Sequence, residues 1–216
     1  MISDSQLKQR VLDELSWDTR VDEAHIGVTT SDGAVTLTGR VNNYPEKYAA
    51  VDAAKHVHGV SVVADEIDVC LSELYRCDDS TIAQHISHVL HCNVSIPDSD
   101  LKAKVDNGFV TLTGEVDWQH QREHVAQQVC HVSGIKGLAN LITLKVRPTP
   151  ENVKEKIEDA LARNSEEEAR NIKVSVTGET VTLDGTVKSL YERDLVENAV
   201  WKAPGVRYLI DCIRIS

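Results

Sequence analysis

The sequence predicts an α+β protein of three tandem αββαβ modules, each a small mixed three-stranded sheet packed against two helices. Three observations predict it. The phrase "GAVTLTGRV" from Gly33 returns as "GFVTLTGEV" from Gly108 and as "ETVTLDGTV" from Glu179. Two glycine series, Gly39, Gly114, Gly185 and Gly59, Gly134, Gly205, advance by one shared pair of steps, so separate landmarks report one repeat. Hydrophobic periodicity switches between helical and strand spacing in the same order in every copy. The modules are expected at residues 1–72, 73–147 and 148–216.

Each copy opens on a helix. Leu7, Val11, Leu15; Ile82, Ile86, Leu90; and Val153, Ile157, Leu161 are spaced to share one helical face. Ser3, Asp78 and Thr149 precede these faces and can accept from the free N–H groups of a first turn. Pro150 suits the first helical position, where a missing N–H costs nothing.

Two alternating segments follow. Ile26, Val28, Thr30 correspond to Leu101, Ala103, Val105 and to Ile172, Val174, Val176, and the phrase itself supplies the second strand. Period-two alternation leaves one sheet face dry and the other wet. Asp32-Gly33 and Asn107-Gly108 suit the positive φ angles of a two-residue hairpin turn. The third copy reads "TGET" there, which predicts a longer, looser turn. Gly39, Gly114 and Gly185 fall inside a strand, where glycine marks a bulge or a close backbone approach.

A second helix is expected over about 44–58, 119–133 and 190–203, ending at Gly59, Gly134 and Gly205. The last strands are "VSVVADEIDV", "IKGLANLITL" and "VRYLIDCIRI". A strand–helix–strand crossover makes the outer pair parallel, whereas the hairpin is antiparallel.

The repeated strands "VTLTGRV", "VTLTGEV" and "VTLDGTV", the helix exits "HGV", "SGI" and "PGV", and the polar residues Asp65, Asn140 and Asp211 in the last strands carry a resemblance. The chain resembles the BON family, named for bacterial osmotic-stress and nodulation proteins, as three copies in tandem. That resemblance implies the αββαβ fold, contact with phospholipid or cell-envelope surfaces, often in stress protection, and no catalytic activity or cofactor.

Bulk properties narrow the function classes. A net charge of −11 over 216 residues disfavours a dedicated nucleic-acid binder, which needs a basic surface to displace counterions. The middle repeat is the least acidic and so is the best placed to meet an anionic phospholipid surface. A protein partner or self-association is the alternative. Nowhere is an apolar run long enough to span a bilayer. Five cysteines without a Cys-x-x-Cys pair, and no signal-peptide pattern at the start, predict a cytoplasmic location, or a periplasmic one only if an export signal has been removed.

Histidine is the most suggestive residue type. His85, His88, His91, His120, His124 and His131 all fall in the middle repeat, and His120 and His124 have an i, i+4 spacing that can hold a metal. "HQREH" lacks the His-Glu-x-x-His order of zinc hydrolases, and the cluster is expected to be solvated or packed. The acidic run Glu166–Glu168 reads as a solvated loop. Trp118 stands where Asn43 and Ser189 begin the other second helices, so an indole replaces a capping side chain and Asp117 is left to cap. Trp118 either packs against a neighbouring repeat or is exposed to lipid or a partner. Trp118, His85 and His88 are the candidate lipid or partner contacts; no catalytic, cofactor or metal residue is assigned.

Overall fold

A computed structural model describes residues 3–92, 101–145, 153–164, 172–203 and 205–215. The first module runs α1 (Asp4–Trp17), β1 (Ile26–Ser31), β2 (Ala34–Val41), α2 (Tyr44–His56), β3 (Val62–Val69). The second runs α3 (Asp79–Cys92), β4 (Lys102–Asp106), β5 (Phe109–Val116), α4 (Gln119–Cys130), β6 (Gly137–Leu144). The third runs α5 (Val153–Asn164), β7 (Ile172–Thr177), β8 (Thr180–Val187), α6 (Leu190–Trp201), β9 (Tyr208–Ile215). Each sheet has the repeated phrase at its centre, antiparallel to the strand before it and parallel to the strand after it. Separate cores sit between each sheet and its two helices; Val11, Leu15, Val35 and Leu37 are fully buried in the first.

Helix starts are held by side chains. Ser3 Oγ accepts from the Gln6 N–H while Gln6 Oε1 accepts from the Ser3 N–H, a reciprocal cap. Asp78 accepts from the Thr81 N–H at 3.0 Å. The next residue does a second job: Asp79 accepts from the Asn107 and Gly108 N–H groups, and its equivalent Asp4 accepts from that of Asp32. The first helix is thereby tied to the hairpin turn. The caps expected of Thr149 and Pro150, and the run Glu166–Glu168, lie outside the described residues.

Two local expectations are corrected, and one that left two alternatives is decided. The third hairpin turn is no longer than the others, because Thr177 pairs with Thr180 as Ser31 does with Ala34. Asp32-Gly33 and Asn107-Gly108 both take positive φ, whereas in the third turn Gly178 does so at 60° and Glu179 does not. The glycine has moved to the first turn position, which keeps the length and changes the turn type. The second helices end at His56, Cys130 and Trp201, short of the glycines. Gly59, Gly134 and Gly205, at φ of 94°, 94° and 88°, instead turn the chain into the last strand. Finally, the strand pairing runs one-to-one through Gly39 on both sides, so no bulge forms there. A Cβ on Gly39 would lie 2.0 Å from the His25 carbonyl oxygen; close approach of the chain entering β1 is the reason for the glycine.

Candidate functional site at the meeting of the second helices

The three modules meet through α2, α4 and α6, and they do so in a cycle. Tyr44, the first residue of α2, packs on the core of the second module, and Leu190, the first residue of α6, packs on the core of the first. The α2–α6 joint also stacks His56 on Tyr191 with ring centroids 4.0 Å apart. The Lys188 carbonyl there accepts from the Gly59 N–H at 3.3 Å and bonds the His58 ring at 2.8 Å. Lys55 approaches Asp194 at 3.7 Å.

The third joint is built differently. At the position of Tyr44 and Leu190, α4 begins with Gln119, whose Oε1 is buried without a hydrogen-bond partner. Gln119 Nε2 donates to Glu123 at 3.0 Å, which fixes the amide with its acceptor side unmet. Two cavities flank it. One, of about 470 Å³, is mainly apolar and lies between α4 and α6, with Trp118, Trp201 and Leu195 in its wall. The other, of about 510 Å³, opens among all three helices and shares Gln119, Leu195 and Trp201 with the first.

Charge in the larger cavity is arranged unequally. Tyr48 lies in its wall, and its phenol is pushed up by burial and by the nearby Asp52, Asp194 and Glu123 carboxylates. Glu197 is raised to about 7, first by burial, then by a hydrogen bond to Asp211 and its charge, with Arg193 opposing. Burial likewise pushes the Cys130 thiol up, so it is no nucleophile at neutral pH. Two of the second helices place a cation against the polar residue of the last strand. Lys47 pairs with Asp65 at 3.0 Å, and Arg193 pairs with Asp211. In the middle module the partner is Asn140, whose amide donates to the Arg122 carbonyl instead. Among the described residues, the Arg122 guanidinium has no hydrogen bond or ion pair, and it lines the larger cavity.

The sequence-derived candidates separate. Trp118 is half-buried between the second and third modules, with Trp201 in the same cavity walls. The Gln121 N–H, which a capping side chain would meet, donates to the Trp118 carbonyl at 3.1 Å, while Gln121 Oε1 accepts from the Asp117 and Trp118 N–H groups. His85 and His88 are exposed on α3, with the His88 ring 3.5 Å from Cys92 Sγ. Among the described residues no three His, Cys, Asp or Glu side chains come together to hold a metal. Arg122 and Gln119 were not singled out from sequence. Their signal was present in the aligned triplets Asp65, Asn140, Asp211 and Tyr44, Gln119, Leu190, where the middle copy alone breaks a pairing.

The model of the BON domain matches residues 3–70, 78–146 and 150–216. The chain belongs to the BON family. This BON protein is 28% identical to the osmotically-inducible protein Y of Escherichia coli, over 67% of the chain and 74% of that protein. It is 28% identical to the outer membrane lipoprotein DolP of Haemophilus influenzae, over 62% and 71% respectively. A type III secretion structural protein of Chlamydia trachomatis, CdsD, aligns by its C-terminal domain over 100% of both chains at 16% identity, with a TM-score of only 0.27.

The expected cytoplasmic location is overturned by these relatives, one of which is an outer membrane protein by name. The cysteine argument behind that expectation had no force. All five thiols are free, with Cys70, Cys92 and Cys212 exposed, Cys77 half-buried and Cys130 buried. A fold that forms no disulfide carries no redox signature of its compartment. No described helix is long and apolar enough to cross a membrane.

Proposed function

We propose that this BON protein is a non-enzymatic, envelope-associated binding protein that contacts anionic phospholipid through the outer sheet faces of its second and third modules. The observation that carries this reading is the contrast among the three faces. In the second module, exposed Lys102 and Lys104 stand beside exposed Phe109 and Leu141. In the third, Lys173 and Arg214 accompany Tyr208 and Ile210, with Arg207 over the Tyr208 ring. The first module presents Glu66 and Asp68 at the positions of Leu141 and Thr143. Exposed apolar residues flanked by cations suit a head-group boundary, and a net charge of −11 does not prevent it. Fixed charges beyond about 10 Å are screened at ordinary ionic strength, so the local patch governs. Likeness to an outer membrane lipoprotein and to an osmotically-inducible protein supports the envelope and stress setting. Exposed His85 and His88 lie on the helical layer of the second module, apart from this sheet face.

Sedimentation with phosphatidylglycerol vesicles tests the reading. Binding should weaken as salt rises, and the Lys102→Gln, Lys104→Gln double variant should lose about 2 kcal/mol, at about 1 kcal/mol per lysine near an anionic surface. Binding that ignores both salt and these lysines would refute it.

A further inference from the structure

From the joint between the second and third modules we infer a binding site for a single-chain amphiphile with a zwitterionic, primary-ammonium head. Five observations converge there. The cavity of about 470 Å³ is mainly apolar, with two indoles, Leu195 and Val196 in a wall that Glu123, Glu192 and Lys202 also reach, which suits an alkyl tail. It adjoins a polar cavity of about 510 Å³ through shared walls at Gln119, Leu195 and Trp201, so tail and head can occupy the two together. In the polar cavity Arg122 offers a guanidinium that no described residue neutralises, a fork suited to a phosphate. Beside Tyr48 in the same wall, the carboxylates Asp52 and Glu123, with Asp194 already 3.7 Å from Lys55, form the opposite pole, suited to an ammonium. The buried Gln119 Oε1 is an acceptor lacking a donor, which an ammonium N–H supplies.

Neither a simple anion nor a simple cation matches this set. An anion would meet Arg122 but also the carboxylates around Tyr48, and a cation would leave Arg122 unpaired. A zwitterion satisfies both. The site exists because the middle copy departs from its siblings twice. Asn140 replaces the aspartate that neutralises the helix cation in the other modules, and Gln119 replaces the apolar residue that fills the other two joints. This inference is independent of the membrane-surface reading: it concerns one molecule held between modules, not a bilayer against the sheet faces.

The probe is lauroyl-lysophosphatidylethanolamine below its micelle threshold, followed by indole fluorescence. Trp17→Phe serves as background, because Trp17 is 84% exposed and would dilute the signals of Trp118 and Trp201. The site predicts a saturable shift. Phosphoethanolamine, which lacks the tail, and dodecylammonium, which lacks the phosphate, should each bind at least about tenfold more weakly. Arg122→Gln should weaken the zwitterionic probe about tenfold and leave dodecylammonium unchanged. Asn140→Asp, which restores the sibling ion pair, should mimic Arg122→Gln with an unaltered circular dichroism spectrum. Leu195→Gln, at an exposed position, should weaken both tailed probes. Vesicle sedimentation of Arg122→Gln should equal wild type, which separates this site from the sheet faces. Equal affinity for the zwitterion and dodecylammonium, indifference to Arg122→Gln, or a shift seen only with micelles would each overturn the inference.

Discussion

Replacing Gly39 with alanine should strongly destabilise the first module, and the reason can be worked from the strand geometry. Gly39 has φ of 132°, a conformation that L-residues occupy only with strain of about 1–3 kcal/mol. The added Cβ would lie 2.0 Å from the His25 carbonyl oxygen, 3.1 Å from its carbon and 3.2 Å from Ile26 Cα. All three are backbone atoms, so no rotamer change relieves the collision. Either the entry to β1 or the centre of β2 must move by more than an ångström, breaking the Ile26–Gly39 pairing, at about 1–3 kcal/mol more. A total of about 2–6 kcal/mol compares with about 3–10 kcal/mol for the entire stability of a module this size. Gly27→Ala is the control in the same sheet. Its Cβ meets Thr38 Oγ1 at 2.7 Å, the end of a side chain that can rotate away. Urea unfolding followed by far-ultraviolet circular dichroism should show an early, separate transition in Gly39→Ala, displaced by about 3 M at a slope of about 1 kcal/mol per molar. Gly27→Ala should stay close to wild type. Overlapping curves for the two variants would refute the close-approach argument.

Two further outcomes concern titration and capping. Glu197 has its pKa raised to about 7 in the folded state, mainly by burial, so the native state binds more protons than the unfolded one between the ordinary carboxylate range and neutrality. Stability should therefore fall as pH rises from about 5 through 7 and level off above. Glu197→Gln should flatten that slope in a melting-temperature profile; an unchanged slope would exclude Glu197 as its source. Glu46, buried at 8% exposure, accepts from the Asp22 and Asn42 N–H groups at 3.2 Å each. Glu46→Ala should cost about 2 kcal/mol by leaving two donors unmet, read as a lowered urea midpoint for the first module.

The sequence was sufficient for the modules because their folding signals are local. Alternation, the helical faces of Leu7, Val11 and Leu15 and their copies, and the turn glycines depend on neighbours a few residues away, and repetition makes each signal visible three times. Thr-Gly-Glu-Thr at the third turn looks one residue longer in sequence, yet one glycine in the first turn position does the same work as an Asp-Gly pair. Trp118 left two fates open, and only the tertiary structure shows it half-buried at the junction with the third module, in the wall of a cavity.

By itself the sequence determined three sheets, their strand order and their cores, since each is closed within about 70 residues of contiguous chain. Only the tertiary structure decided that α2, α4 and α6 meet, that Tyr44 and Leu190 fill two joints while Gln119 leaves the third unfilled, and that Arg122 faces a cavity. Those outcomes rest on surfaces from distant parts of the chain coming together, and no local period encodes which exterior will find which.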